Sequence, residues 1–277
     1  MIHIDNDLPV ITPGLTMYEY TRDAINTIDK VQKAIDVVKT LPIHGCITGS
    51  CFLPGFDPDH WGTTPDLDVF VYSEDDLVRA CTIAEHGLKM KPGKGTERSE
   101  KQERWKLNRL YDQGLNYKIG ITTYTFHCNG VMLNFTYKQT KVSGRWVPLT
   151  NCPSVLMSFD MSIVMQGYDI QSKVMFDLRP NDVPIKTAIP NPLRNHDCVM
   201  WTVAKWVRQF DRVVKYYSRG FDTRPMAKFY LDMIDECIEA GCLFDSEESH
   251  DAFDKFSNEF LEKRAQIQEW YDTHKED

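Results

Sequence analysis

Several absences narrow this chain before any motif does. Its eight cysteines, Cys46, Cys51, Cys81, Cys128, Cys152, Cys198, Cys237 and Cys242, include no Cys-X-X-Cys pair. Scattered in this way, they fit reduced core thiols better than a disulfide framework or a zinc site. No apolar run approaches the ~20 residues that span a bilayer, so no membrane partner is expected. The opening Met-Ile-His-Ile-Asp-Asn-Asp has neither the basic flank nor the apolar stretch of a secretory signal, and a cytoplasmic location is expected. Positive charge is in deficit, with 32 Lys and Arg against 40 Asp and Glu and a net charge of −8, which argues against broad, non-specific nucleic-acid binding. Internal repeats and low-complexity tracts are also missing.

What remains is an ordinary globular composition. The chain has 277 residues, 42% of them apolar and 26% charged, enough for one large domain or two modest ones. Apolar spacing at Ile25, Ile28, Val31, Ile35 and Val38 predicts a helix over 16–40. Strands are expected near 43–48 and 66–72, then a helix near 74–88. The segments 117–126 and 131–137 flank Asn129-Gly130, a strong two-residue hairpin signal. A short helix near 151–158 precedes a second expected hairpin, 161–168 with 173–178. From His196 onward the pattern is helical, with apolar stripes through Phe210, Phe229, Met233, Phe253 and Trp270. The proline-rich stretch from Pro180 to Pro192 reads as a boundary, giving an α+β domain over 1–185 and a helical domain over 193–277.

The most informative pattern is Gly49-Ser50 closing one apolar segment and Asp66-Leu67-Asp68 opening the next. Alternate residues of a strand share a face, so Asp66 and Asp68 present two carboxylates to one place. Two carboxylates about 4 Å apart repel by roughly 4 kcal/mol at an effective dielectric near 20, so such a pair calls for a divalent cation or must give up a charge. A hard, oxygen-seeking ion such as Mg²⁺, or Mn²⁺ in its place, suits it. A Gly-Ser turn adds a backbone that can approach a phosphate closely.

These residues resemble the DNA polymerase beta-like nucleotidyltransferase superfamily, whose mark is a Gly-Ser or Gly-Gly turn followed by an Asp-hydrophobic-Asp strand. The resemblance covers about residues 40–180 and implies a nucleotidyltransferase-type mixed β-sheet flanked by helices. It further implies Asp66 and Asp68 as catalytic metal ligands and Gly49 and Ser50 as contacts to a nucleoside triphosphate. The chain departs from the pattern in a long intervening loop, Cys51 to Pro65, and at the third acid. Val131-Met-Leu-Asn-Phe-Thr-Tyr137 offers Asn134, which can ligate a cation through its amide oxygen but cannot take a proton. Asp160, in Ser158-Phe-Asp-Met-Ser-Ile163, is the other candidate acid, in a segment with a fainter resemblance to the CCA-adding and poly(A) polymerase branch. A structural role for Asp160, in capping or in pairing with an arginine, is the alternative.

Positive charge is also patterned. Lys205, Arg208, Arg212, Lys215 and Arg219 recur at steps of three and four, which makes one helical stripe opposite an apolar one. It is either the wet side of that helix or a phosphate-facing surface, with Lys215 and Arg219, separated by tyrosines, as nucleotide-binding candidates. A second basic stretch, Lys91 to Lys118, reads as a solvated loop and helix or as a flap over a nucleotide. Asp57-Pro-Asp-His60 reads as a solvated turn rather than a metal cluster.

The expected activity is Mg²⁺-dependent transfer of a nucleoside monophosphate from an NTP to an acceptor hydroxyl on RNA, a small molecule or a protein. The alternative is a catalytically inactive relative that senses nucleotide or binds protein.

Overall fold

The computed structural model describes residues 16–19, 29–92, 120–142, 145–192, 203–239 and 250–276. The chain divides into two compact units, one of Met1–Phe159 with Val164–Asn181, the other of Asp160–Ile163 with Asp182–Asp277. The fold is α+β, with a mixed sheet flanked by helices in the first unit and helices in the second.

The first unit is organised by its sheet. Among the described residues the strands are β1 (Thr16–Glu19), β2 (Gly45–Thr48), β3 (Asp66–Val71), β4 (Lys91–Pro92), β5 (Ile121–Cys128), β6 (Val131–Val142), β7 (Arg145–Pro148), β8 (Gln166–Asp169) and β9 (Val174–Asp177). Their order is β1-β9-β8-β2-β3-β6-β5-β4, with β7 extending from β6. The β3–β6 pair runs parallel, and the pairs on either side of it are antiparallel.

Period-two alternation decides which face carries chemistry. In β3, Leu67, Val69 and Val71 are buried, while Asp66, Asp68 and Phe70 on the other face are half-buried. The apolar side joins one core with helix α1 (Asp29–Lys39) through Val31, Ala34, Ile35 and Val38, and with helix α2 (Glu74–Thr82) through Leu77, Ala80 and Cys81. Ser73 caps α2 by accepting from the Asp76 amide at 3.0 Å, and Glu74, Asp75 and Asp76 favour its positive end. The helical path then continues through a wide turn over Ile83–Gly87.

The hairpin β5–β6 forms as the Asn-Gly signal predicts. Asn129 and Gly130 both take positive φ, 51° and 80°, the pair of values that a tight twisted hairpin turn requires. Helix α3 (Cys152–Met157) opens with a capping box, Asn151 accepting from the Ser154 amide at 2.8 Å.

Two expectations change. The helix predicted over 16–40 is described from Asp29, and Thr16–Glu19 instead forms β1, paired antiparallel with β9 in the register Thr16 to Asp177. A ladder to residues far along the chain overrides the local pattern there. The strand expected over 161–168 starts only at Gln166, after a 3₁₀ turn at Ser162–Val164.

The second unit holds α4 (Val203–Tyr217), α5 (Arg224–Glu239) and α6 (His250–His274). Gly220, at φ 82°, ends α4 in the left-handed conformation, and the amides of Gly220 and Phe221 bond back to Tyr217 and Tyr216. Phe210 meets Tyr230 between α4 and α5, whose hydroxyl donates to Gln209 at 3.0 Å, and Tyr217 packs edge-on against Trp270 of α6. Among the described residues, no helix is long and apolar enough to cross a membrane.

Candidate active site

Strand β2 ends at Thr48, and the chain turns at Gly49 with φ 92° and ψ −150° into a short 3₁₀ segment, Ser50–Phe52. That backbone conformation is almost confined to glycine. The register sets Thr48 opposite Asp68, so the turn comes up against the acidic face of β3. A Cβ on Gly49 would lie 2.6 Å from Asp68 Oδ2, which requires glycine there twice over, by conformation and by space. Ser50 donates its hydroxyl to Asp66 Oδ1 at 2.8 Å. The two halves of the motif, fifteen or so residues apart in sequence, are thus in contact at both positions.

Asp66 and Asp68 share one face of β3, about 6.6 Å apart along the strand. Asn134 lies beside Asp68 in the parallel register and donates its amide Nδ2 to Asp68 Oδ1 at 2.9 Å. Its own oxygen accepts from Thr125 Oγ1 at 2.8 Å. Ser50 and Asn134 are neutral donors, so they steady the carboxylates without cancelling their charge. Buried Cys51 registers that field: its thiol is pushed well above the ordinary cysteine range, first by burial, then by Asp68 and Asp66.

The face continues past the acids. Phe70 meets Phe159 edge-on with centroids 5.6 Å apart, and Lys138 Nζ stands 5.5 Å from the centre of the Phe159 ring while donating to Ser158 Oγ at 2.7 Å. Thr136 and Thr123 join their hydroxyls at 3.0 Å.

The donor set on β3 is all oxygen and anionic, which suits a hard divalent cation. Gly49 keeps the space against Asp68 Oδ2 clear of a side chain. Among the described residues, no cluster of three or more His, Cys, Asp or Glu is arranged to hold a metal ion. A cation held by Asp66 and Asp68 would need further ligands besides these two carboxylates. The Asp57 to His60 stretch is a turn, with the His60 amide donating to Asp57 at 3.0 Å.

The remaining predicted residues lie in the second unit. Asp160, 3% exposed, accepts from Arg212 Nη1 at 2.8 Å, and its backbone carbonyl accepts from the Asn191 amide at 3.0 Å. Burial opposes the charge on Arg212, but Asp160, Tyr216 and Tyr230 outweigh it and raise its pKa above the usual arginine value. Lys215 Nζ and Arg219 Cζ stand 5.7 and 5.8 Å from the centre of the Tyr216 ring, with Arg212 Cζ at 5.9 Å. Tyr216 is buried beneath them, so its ring is not open to stack on a base. The Lys205 side chain, and 93–118 of the second basic stretch, lie outside the described residues.

Thr125 and Cys51 lie beside the candidate site, and the motif alone does not reveal them. Thr125 was countable: from a two-residue turn at 129–130, position 125 falls opposite 134.

No family model matches this chain, and no curated protein matches it. Among solved structures it is similar to a CCA-adding enzyme in its apo form II, at 10% identity and a TM-score of 0.41, over 87% of this chain and 54% of that one. The chain thus spans about half the length of that enzyme. At that identity the likeness says nothing of activity.

Proposed function

We propose that this chain is a divalent-cation-dependent nucleotidyltransferase, which moves a nucleoside monophosphate from an NTP to an acceptor hydroxyl and releases pyrophosphate. The observation that carries this reading is the joining of the Gly49-Ser50 turn to Asp66 and Asp68 on one sheet face. Asp66 and Asp68 hold the cation, Ser50 orients Asp66, and the bare backbone of Gly49 leaves room for phosphate. When bound, Mg²⁺ or Mn²⁺ neutralises phosphate charge as the α-phosphorus is attacked.

The proton of the attacking hydroxyl goes to a carboxylate oxygen of Asp66 or Asp68, because the amide of Asn134 cannot accept it. Lys215 and Arg219, grouped about Tyr216 in the second unit, are proposed as phosphate contacts on the strength of that cationic grouping alone. The bond of Asp160 to Arg212 supports a structural role for that acid in the second unit. The acceptor class remains RNA, a small molecule or a protein hydroxyl.

One observation favours a second reading. Asn134 supplies an amide where a third acid would stand, which suits a nucleotide-sensing or protein-binding module that has lost turnover.

The test is incubation with each α-labelled NTP, Mg²⁺ and a total RNA pool, beside an Asp66→Asn/Asp68→Asn protein. Label entering RNA, protein or a small product only with intact aspartates supports transfer. Metal-dependent binding without label transfer supports the second reading.

A further inference from the structure

The row Asp68, Asn134, Thr125 crosses three adjacent strands at matched register positions, so the three side chains rise from the same face. Its hydrogen bonds have one consistent direction. An ionised Asp68 only accepts, so it takes the N–H of Asn134 at 2.9 Å, and the amide oxygen left over accepts the one hydroxyl proton of Thr125 at 2.8 Å. Turning the amide over would set carbonyl oxygen against carboxylate oxygen, acceptor to acceptor. The Thr125 hydroxyl, which can donate or accept, would then turn to accept from the amide, so the clash at Asp68 is what fixes the sense of the amide.

The other oxygen of Asp68, Oδ2, faces the bare backbone of Gly49, where an added Cβ would lie only 2.6 Å away. Its carboxylate is oriented through Oδ1 by the Asn134 amide before any ligand arrives, the arrangement by which outer groups set the affinity of a metal ligand.

We infer that Asn134 and Thr125 are positioning residues for Asp68: the Asp68 carboxylate fixes which end of the Asn134 amide faces it, and Thr125 holds the amide there, so that its nitrogen donates to Asp68 and its oxygen is withheld from the cation. The cation part of this statement rests on the function proposed above; the amide orientation does not. Asparagine at this place then acts as a hydrogen-bond donor to a ligand instead of as a ligand that has lost its charge.

The experiment follows the side-chain amide of Asn134 by ¹⁵N NMR in metal-free protein, in Thr125→Val and in Thr125→Ser. The wild type is expected to protect one Nδ2 proton from solvent exchange. Thr125→Val loses that protection while the backbone amide spectrum stays folded, and Thr125→Ser, which keeps a hydroxyl, retains it. In parallel, calorimetric Mg²⁺ titration is expected to give roughly tenfold weaker binding in Thr125→Val, the scale of outer-shell losses, and a change within about twofold in Thr125→Ser. Wild-type protection persists when the cation binds.

Protection unchanged in Thr125→Val, protection lost in the wild type on Mg²⁺ binding, or tighter binding by Thr125→Val would each overturn the inference. If the wild type binds no cation, the proposed function fails, and the metal-free exchange data still decide the orientation of Asn134.

Discussion

Replacing Gly49 by alanine tests the joint between turn and acid pair. The residue sits at φ 92° and ψ −150°, a conformation that costs a side-chain-bearing residue about 1–3 kcal/mol. The new Cβ would meet Asp68 Oδ2 at 2.6 Å and Cγ at 3.4 Å, so the carboxylate must retreat by about half an ångström or more. Its other oxygen is held by Asn134 at 2.9 Å, and loosening a hydrogen bond to a charged group adds about 1.5 kcal/mol. The sum is about 3 kcal/mol of stability, with cation affinity lowered about tenfold or more through the displaced ligand. Gly55→Ala is the control: it too has positive φ, 70°, but nothing lies within 4 Å of its notional Cβ. It should cost about 1–2 kcal/mol by backbone strain alone and leave cation binding intact. Urea unfolding and Mg²⁺ calorimetry on both variants decide the matter. Equal losses in the two, with Mg²⁺ binding unchanged in Gly49→Ala, would refute the contact between the turn and Asp68.

Three further outcomes follow from other parts of the molecule. Arg212→Met should lower unfolding free energy by about 2 kcal/mol in urea titrations, below the 3–5 kcal/mol of a fully buried pair because the Arg212 side chain is 34% exposed. Asp222 is held below the ordinary carboxylate range, chiefly by the hydrogen bonds from Arg224, so its contribution is present above the unfolded carboxylate value and is lost as pH falls through the lowered one. Unfolding free energy measured against pH should therefore fall less steeply on the acid side in Asp222→Asn than in the wild type. The thiols of Cys46, Cys51, Cys81 and Cys152, none more than 1% exposed, should resist a maleimide at pH 8 in native protein and react once it is unfolded, as read by mass spectrometry.

The parts of this fold that were legible in sequence are those set by local periodicity. Alternation in Asp66–Val71 correctly divides acids from core, and Val31, Ile35 and Val38 are the buried stripe of α1. Asn129-Gly130 forms its hairpin because both residues tolerate positive φ. Elements that depend on distant partners were not legible in this way. Thr16–Glu19 becomes a strand by pairing with Val174–Asp177, a contact that no local window contains. The contact of Gly49 with Asp68 likewise arises from the β2–β3 register rather than from the motif. Asn134 was a candidate from its strand alone, but its bond with Thr125 arises only through the hairpin register.

The most direct test of the account is calorimetric titration of each NTP into the protein with Mg²⁺ and with EDTA, in wild type and in Asp66→Asn/Asp68→Asn. Nucleotide binding in the wild type should need the cation and be lost in the double variant. Binding that is equal with and without Mg²⁺, or unchanged in the double variant, would contradict it.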